Sequence, residues 1–583
     1  MLSAILSLLV LGAVSAPAHE QSAIIDPRVY HHHNSKSLIR PQAVTFSFSE
    51  DVEVSLDARV LHKSGQSFEI SVCCVSDPKD DDWMAVYAPA DVDPTAVAPV
   101  KFFLAKTMQG YLETGRGVSR VKLFNHRTNS MRVALMRGGH SSPVMVAQSP
   151  TIKIANVNEP LHGHLAITGK QGEMLIQWTT KDRGSPRAMW GAESNEYTHS
   201  VEGGTVTYSK EDLCGAPATE EGWMEPGVFH RALMTDLKPG KTYYYKYGDE
   251  EFGFSEEFSF VTPPEAGAQD SITFIAFGDM GEKEDPYCTG SINTINRLET
   301  ELDAQLIIHN GDVGYSMGYV STWDLFMEGI QKVATRIPYM TSVGNHERDW
   351  PGTGDRYQGL SDDSRGECGV PYKQRFKMPT PEGKHVYWYS FDFGPVHFLV
   401  FDTEDAFSPG SAQYKFIEQD LGKVDRSKTP WVIAIGHRPV YISSEDPRPI
   451  EGDNAVAKDL RESLEPVFYK HQVSVVLQGH NHSYQRTCSV FKEKCRSTGR
   501  APIYVDIGNA GARLIDPPPE HPEHIEMAVA EYGFSRFSVN GTDLFMESVR
   551  SSDGSNIDTI HLQAGTGTFF PKAFRAESRK ITK

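Results

Sequence analysis

The chain has 583 residues, a formal net charge of −19, and 39 % hydrophobic and 23 % charged residues. That is the composition of a globular protein rather than a disordered or fibrous one, and the length suggests three or four domains of roughly 150 residues each. The acidic balance excludes the basic surface that a nucleic-acid binder needs.

Residues 1–16, MLSAILSLLVLGAVSA, pair a short apolar core with a small-x-small ending at Val14-Ser15-Ala16. This reads as a signal peptide, since the run falls short of the ~20 residues a membrane-spanning helix needs. No later stretch is long and apolar enough to span a bilayer. The chain is therefore expected to be secreted or to travel the secretory pathway. Seven cysteines (73, 74, 214, 288, 368, 488, 495) fit that route. They have no zinc-knuckle spacing, and Cys488 and Cys495, flanking a short turn-like segment, are the best candidates for a local disulfide. An odd count leaves at least one thiol outside any pairing within the chain. Asn540-Gly541-Thr542 is a glycosylation sequon in an expected turn. Asn481-His482-Ser483 also matches, but it lies in a motif described below and is expected to be unused. The histidine triplet 31–33 reads as a solvated tract. The basic end at Lys572, Arg575, Arg579, Lys580 and Lys583 reads as a solvated tail.

Residues 17–150 show short alternating runs such as VTFSFSEDVEVSLDARV and SFEISVCCV, separated by Asp, Pro and Gly clusters. They read as an N-terminal β-sandwich. Residues 151–265, opening at SPTIKI, carry further strands, with Trp178 and Tyr243 to Tyr245 as packing aromatics. They read as a second, immunoglobulin-like sandwich. From about 270 to 583 strands alternate with helical stretches, which implies a largely parallel sheet with helices outside it. The segment HVYWYSFDFGPVHFLVFDTE reads as a hairpin, so the sheet is mixed. Helices are expected at GSINTINRLETEL, STWDLFMEGIQKVATR, QYKFIEQDLGKV and AVAKDLRESLEPVFYK. A C-terminal segment, about 500–570, holds a strand at PIYVDIGNAGA and a hairpin around Asn540-Gly541.

Five motifs in this third region share one design: GDMG (278–281), GDVGY (311–315), GNHE (344–347), GHRP (436–439) and GHNH (479–482). Each follows an apolar run that reads as a buried strand: SITFIAF, AQLIIHN, IPYMTSV, PWVIAI and VSVVLQ. Each strand thus delivers Asp, Asn or His at its carboxyl edge, where sites form in open α/β sheets. Asp279, Asp312, Tyr315, Asn345, His437, His480 and His482 together supply carboxylate, amide, phenol and imidazole donors. Seven donors exceed what one ion takes from a protein, about four for zinc. They suit two ions sharing a bridging carboxylate, a clamp for in-line phosphoryl displacement by an activated water. In GHNH the two histidines at i and i+2 are expected to face the same way on an extended segment. The flanking glycines are expected to allow the turns that aim each ligand. His309 and His397, within strands, read as packed; His471 reads as a helix end.

The order of the five motifs resembles the signature of the metallophosphoesterase superfamily, and Tyr315, three residues after Asp312, resembles the purple acid phosphatases specifically. The resemblance covers nearly the whole chain. SDPKDDDWMAVYAP (76–89), GNHERDWPGTGDRY and RGECGVP (365–371) are similar to the long plant-type form, which includes members named nucleotide pyrophosphatase/phosphodiesterase. It implies two all-β sandwiches, the second fibronectin-III-like, followed by an α/β metallophosphoesterase domain built as an αββα sandwich with mixed sheets. It implies that Asp279, Asp312, Tyr315 and His482 hold Fe(3+), with Asp312 bridging. Asn345, His437 and His480 would complete a site for zinc, manganese or iron. It implies that His346 faces small phosphorylated substrates as the catalytic group, steadying phosphate and protonating the leaving oxygen, and it admits a homodimer. Unlike the shorter plant acid phosphatases, HRPVYISSEDPRPIEGD carries no histidine after His437. Arg438 becomes the expected phosphate contact, with Tyr441, Arg348, Asp349 and Trp350 nearby. The first expectation is a secreted acid phosphatase acting on phosphate monoesters. The alternatives are a nucleotide pyrophosphatase or phosphodiesterase on the same metals and a non-catalytic extracellular protein.

Overall fold

A computed structural model describes residues 34–267, 271–352, 361–381, 386–446, 448–496 and 501–564. The expected signal peptide, the histidine triplet 31–33 and the basic tail lie outside these residues.

The first unit packs a seven-stranded sheet against a three-stranded one made of Glu53–Leu56, Gln66–Cys73 and Gly117–Leu123. Alternation does the work: Phe68, Ile70 and Val72 of strand Gln66–Cys73 all point inward, against Met84, Val86, Met131 and Val133. One expectation is corrected here. Ile152–Ile154, read from sequence as the opening of the second unit, pairs antiparallel with Ser130–Arg137 and parallel with Val60–Leu61 of the first. The second unit sets a four-stranded sheet, built on Leu161–Ala166, Met174–Thr180 and Val228–Met234, beside a five-stranded one built on Arg187–Gly191 and Thr242–Asp249. Trp178, Tyr243 and Tyr245 lie in its core, as expected.

The third unit has two mixed sheets face to face with helices on both outer sides. In the first sheet Tyr339–Ser342, Leu306–Asn310 and Ile272–Phe277 run parallel. Gly533–Val539, Asp543–Arg550 and Asn556–Gln563 extend it as an antiparallel meander. The expected turn at Asn540 joins the first two of these, closed by Asn540 N–H donating to the Asp543 carbonyl at 2.9 Å. In the second sheet Val396–Val400, Trp431–Ile435, Val475–Gln478 and Ile503–Ile507 run parallel, with the expected hairpin strand Tyr389–Phe393 antiparallel at one edge. Phe274 seals the two sheets, stacked on Phe537 at 4.4 Å and edge-on to Phe398 at 5.1 Å. Helix Val320–Ala334 covers the first sheet. Ala412–Leu421, Asp453–Ser463 and Glu465–Lys470 cover the second. The last two were expected as one helix. Pro466 in the first turn of the second piece has no N–H to donate and its ring clashes with the preceding turn, so the helix breaks at Leu464.

The three units are joined through contacts on helix Val320–Ala334 and its C-cap, Thr335. Its Asp324 carboxylate accepts from Arg127 Nη2 at 2.9 Å on both oxygens and lies 3.0 Å from His126 Nδ1, both residues of the first unit. From the second unit, Gly163 N–H donates to Gln331 at 2.9 Å and the Tyr245 hydroxyl to the Thr335 carbonyl at 2.7 Å. Cys214 of the second unit is bonded to Cys368 of the third, and Cys488 to Cys495 as expected. Cys73, Cys74 and Cys288 stand outside these pairs. Two disulfides suggest an extracellular or secretory-pathway protein. Among the described residues no helix is long and apolar enough to cross a membrane.

Candidate metal centre

The five strand ends bring all seven candidate ligands together, and they do so with strained backbone. Asp279, Asp312, Tyr315 and His480 take φ values of 59°, 47°, 47° and 71°. Non-glycine residues in the left-handed region cost energy and cluster at functional sites. The ligand residues thus share the turns with Gly281 and Gly311, at φ 74° and 73°. The glycines also allow close approach: a Cβ on Gly344 would sit 2.2 Å from Asp312 Oδ1, and one on Gly311 2.4 Å from His437 Nδ1.

The donors fall into two groups. Tyr315 Oη lies 3.1 Å from Asp279 Oδ1 and 2.8 Å from His482 Nε2. Asn345 Oδ1 lies 3.1 Å from His437 Nε2 and 2.9 Å from His480 Nδ1. Asp312 Oδ2 is 3.2 Å from His437 Nε2, and Asp312, His437 and His480 offer three atoms within 4.8 Å of one another. Asp279 links the groups by accepting the His480 N–H at 2.9 Å. The two histidines of GHNH therefore diverge, because the bend at His480 replaces the expected extended segment: His480 joins Asn345 and His482 joins Tyr315.

The outer nitrogens fix the chemistry. His437 Nδ1 faces the Asn310 carbonyl at 3.0 Å and His482 Nδ1 faces the Arg513 carbonyl at 2.8 Å. A carbonyl only accepts, so each Nδ1 carries the proton and each Nε2 turns a lone pair inward, as in metal-binding histidines. Lone pairs and carboxylates then face one another in a site where His480, at 8 % exposure, is the most accessible of the seven. Such a set needs positive charge between its members. Burial opposes a charged His437, yet Asp312 and Asp279 raise its pKa to about 10. Burial likewise pushes the Asp312 carboxyl up, but His437 and His346 outweigh it and hold it well below the usual range. Without a cation that field puts a proton on the His437 Nε2 lone pair; a metal cation bound there takes the proton's place, so the residues present fit the two-ion expectation.

Two motif residues outside the candidate ligand set, Glu347 and Asn481, stand around these donors. Glu347 accepts from Val313 N–H at 2.8 Å and Gly344 N–H at 3.0 Å, clamping two ligand loops together. Its position three residues past Gly344, at the start of helix Asn345–Arg348, is a helix-capping signal the sequence does carry. Asn481 is buried and donates Nδ2 to Asp453 at 2.9 Å, so that sequon's amide is committed.

His346 lies against the centre: its N–H donates to Asp312 Oδ1 at 3.0 Å, its Nε2 is 3.8 Å from Asp312 Oδ2, and its ring lies 4.7 Å from that of Tyr315. Arg438 does something other than expected. Its Nε bonds Glu404 at 2.9 Å, its Nη2 bonds Asp349 at 3.1 Å and its Nη1 the Glu451 carbonyl at 3.1 Å. With its fork spread over two carboxylates it is a strut behind His480 rather than an open phosphate grip. Tyr441 is turned to Glu465, and Trp350 packs on Gly215 of the second unit.

Residues 52–156 match the Fn3-like domain from Purple Acid Phosphatase, 160–262 the Purple acid Phosphatase N-terminal domain and 272–484 the Calcineurin-like phosphoesterase. Residues 501–559 match the Iron/zinc purple acid phosphatase-like protein C. The chain belongs to the purple acid phosphatase family. Among its relatives in this family is the Arabidopsis thaliana protein named probable inactive purple acid phosphatase 1, 35 % identical over 91 % of this chain and 92 % of that protein. A Hordeum vulgare protein named nucleotide pyrophosphatase/phosphodiesterase is 35 % identical over 53 % of this chain and 88 % of its own length. The solved purple acid phosphatase PPD1 from seeds of yellow lupin, Lupinus luteus, superposes with a TM-score of 0.82 at 30 % identity, covering 88 % of this chain and 96 % of that one.

Proposed function

We propose that this chain is a secreted acid phosphatase that hydrolyses phosphate monoesters at a dinuclear centre. Asp279, Asp312, Tyr315 and His482 would hold Fe(3+). Asn345, His437 and His480, with Asp312 as bridge, would hold zinc, manganese or iron. The observation that carries this reading is the convergence of seven buried donors with the His437 and His482 lone pairs turned inward. When bound, such a pair of ions lowers the pKa of a water and neutralises charge on the phosphoryl oxygens. The chain's own residues supply the rest. Burial excludes bulk water from the ligands. Glu347 holds two ligand loops in register. His346 stands beside Asp312, where its Nε2 can steady a phosphoryl oxygen and pass a proton to the leaving group, a role an imidazole fills in mildly acidic solution. Asn540 is the proposed glycan site.

Several relatives carry "probable inactive" in their names. Against extending that to this chain stands the presence of every donor in the set. A second reading, hydrolysis of nucleotide pyrophosphates or phosphodiesters, is favoured by the barley relative's name and by the engagement of Arg438 with Glu404 and Asp349. Initial rates at pH 5–6 on metal-loaded protein decide between them. Faster cleavage of a phosphomonoester supports the first reading; faster cleavage of a nucleotide diester or pyrophosphate supports the second. No turnover of either with both ions bound contradicts both.

A further inference from the structure

Five strand ends carry the candidate ligands, but a sixth segment, residues 361–369, contacts Asn345 at one group and the turn that follows Tyr315 at the other. Asp363 Oδ2 accepts the Asn345 Nδ2 at 2.9 Å, and the Asp363 carbonyl lies 3.2 Å from His346 Nδ1. Four residues on, Glu367 accepts from Ser316 Oγ at 2.7 Å, Gly318 N–H at 2.8 Å and Trp323 Nε1 at 2.9 Å. Those partners belong to the turn that follows Tyr315 and to the helix packed on it. The segment is tied down at several points. Cys368 is bonded to Cys214 of the second unit, and Cys214 N–H donates to the Gly366 carbonyl at 2.8 Å. Gly369 N–H donates to the Glu347 carbonyl at 2.7 Å, and Ser364 Oγ to the Asp349 carbonyl at 2.7 Å.

An amide has two ends of nearly equal shape and opposite use. Asn345 can ligate a cation only through Oδ1; turned over, it would present N–H groups that repel one. A carboxylate, which only accepts, distinguishes the two orientations sharply. Asp363 is that carboxylate. The same residue sets the His346 ring: with Nδ1–H on the Asp363 carbonyl, Nε2 faces inward. Glu367 does the corresponding work at the other group, where it holds the backbone that carries Tyr315.

We propose that Asp363 is a positioning residue for the Asn345–His437–His480 half of the centre and Glu367 one for the Tyr315 half. One segment, anchored to the second unit through Cys214–Cys368, thereby sets the two halves separately. This rests on the two-ion reading above.

The test uses the full chain and the variants Asp363→Ala, Asp363→Asn and Glu367→Gln. Retention of each ion is followed by chelator competition, and the iron half by its tyrosinate absorption. Asp363→Ala is expected to weaken the divalent ion about 10- to 100-fold, the range for groups that orient metal ligands, while the iron and its colour stay. Asp363→Asn should restore most of the affinity, because its own Oδ1 accepts the Asn345 bond. Glu367→Gln should disturb the absorption and leave divalent affinity as in the native chain. Divalent affinity unchanged in Asp363→Ala, or both ions lost together, overturns the proposal. A crystal structure of the loaded native chain tests it without relying on any variant's folding. Asn345 ligating through Oδ1 with Nδ2 on Asp363 supports it; Nδ2 turned elsewhere overturns it. A native chain that binds no second ion overturns the two-ion reading as well. A native chain that binds two, with no change across the variants, overturns the positioning proposal alone.

Discussion

Among the buried clusters of ionisable side chains, the one about Asp312 and the one about Asp324 close in different ways. Asp324 is matched from within. Burial pushes its carboxyl up, but the Arg127 guanidinium on both oxygens, with His126, outweighs that and holds it well below the usual range. A permanent cation meets a permanent anion, and N–H groups meet lone pairs. At Asp312 no lysine or arginine among the described residues plays that part. The arginine nearest in sequence to His437, Arg438, is turned to Glu404 and Asp349. Inward-facing imidazole lone pairs, an amide oxygen and carboxylates confront one another instead. The contrast separates scaffold from candidate site: a buried charge with its own guanidinium joins domains, and a cluster of buried carboxylate, amide and imidazole donors fits a metal cation.

Breaking each cluster should give opposite signatures. The largest effect is expected from Asp312→Ala: loss of two-ion binding and a fall in turnover of about a thousandfold or more, several kcal/mol of transition-state stabilisation. Metal analysis with kinetics on folded protein checks this, and full occupancy of both sites in the variant would refute the bridging role. Asp324→Asn should instead cost about 3–5 kcal/mol of stability, because it strands Arg127 in the interior. Denaturant unfolding reads this, and the metal content of the folded fraction should match the native chain.

A third buried group sharpens the comparison by its dependence on pH. His397, expected simply to pack, lies between Asp392 at 2.7 Å and Asp420 at 2.9 Å. Burial opposes its charge, yet the two carboxylates raise its pKa from 6.5 to about 9. A raised folded-state pKa gives stability that is complete below about pH 6.5 and lost as pH climbs through 9, on the order of 3 kcal/mol. His397→Gln should therefore lower Tm at pH 6 and leave it nearly unchanged at pH 10. Equal losses at both would refute the ion-pair account. The smallest functional effect is expected from Tyr315→Phe, which should remove the visible absorption while part of the activity survives. An unchanged spectrum would sink the ferric assignment.

The candidate site was legible because each ligand sits within a few residues of a strand whose apolar run is itself a signal. The partners that hold those ligands were hidden because they are distant in sequence. Glu404 and Asp349 lie 34 and 89 positions from Arg438, and Asp363 is 18 from Asn345 in a segment with no periodicity. Arg127 and Asp324 are separated by 197 positions and belong to different units. The boundary after the first sandwich was misplaced for a related reason. Ile152–Ile154 is an ordinary strand sequence, and only its pairing with Ser130–Arg137 and Val60–Leu61 says which sheet it completes.

The most direct measurement is the metal content of the purified full-length chain by inductively coupled plasma mass spectrometry, beside Asp312→Ala and Asp324→Asn. The account predicts two ions per native chain, one of them iron, the same two in folded Asp324→Asn, and loss of paired binding in Asp312→Ala. A native chain that carries one ion or none after reconstitution, or an Asp312→Ala variant that keeps both, would contradict it.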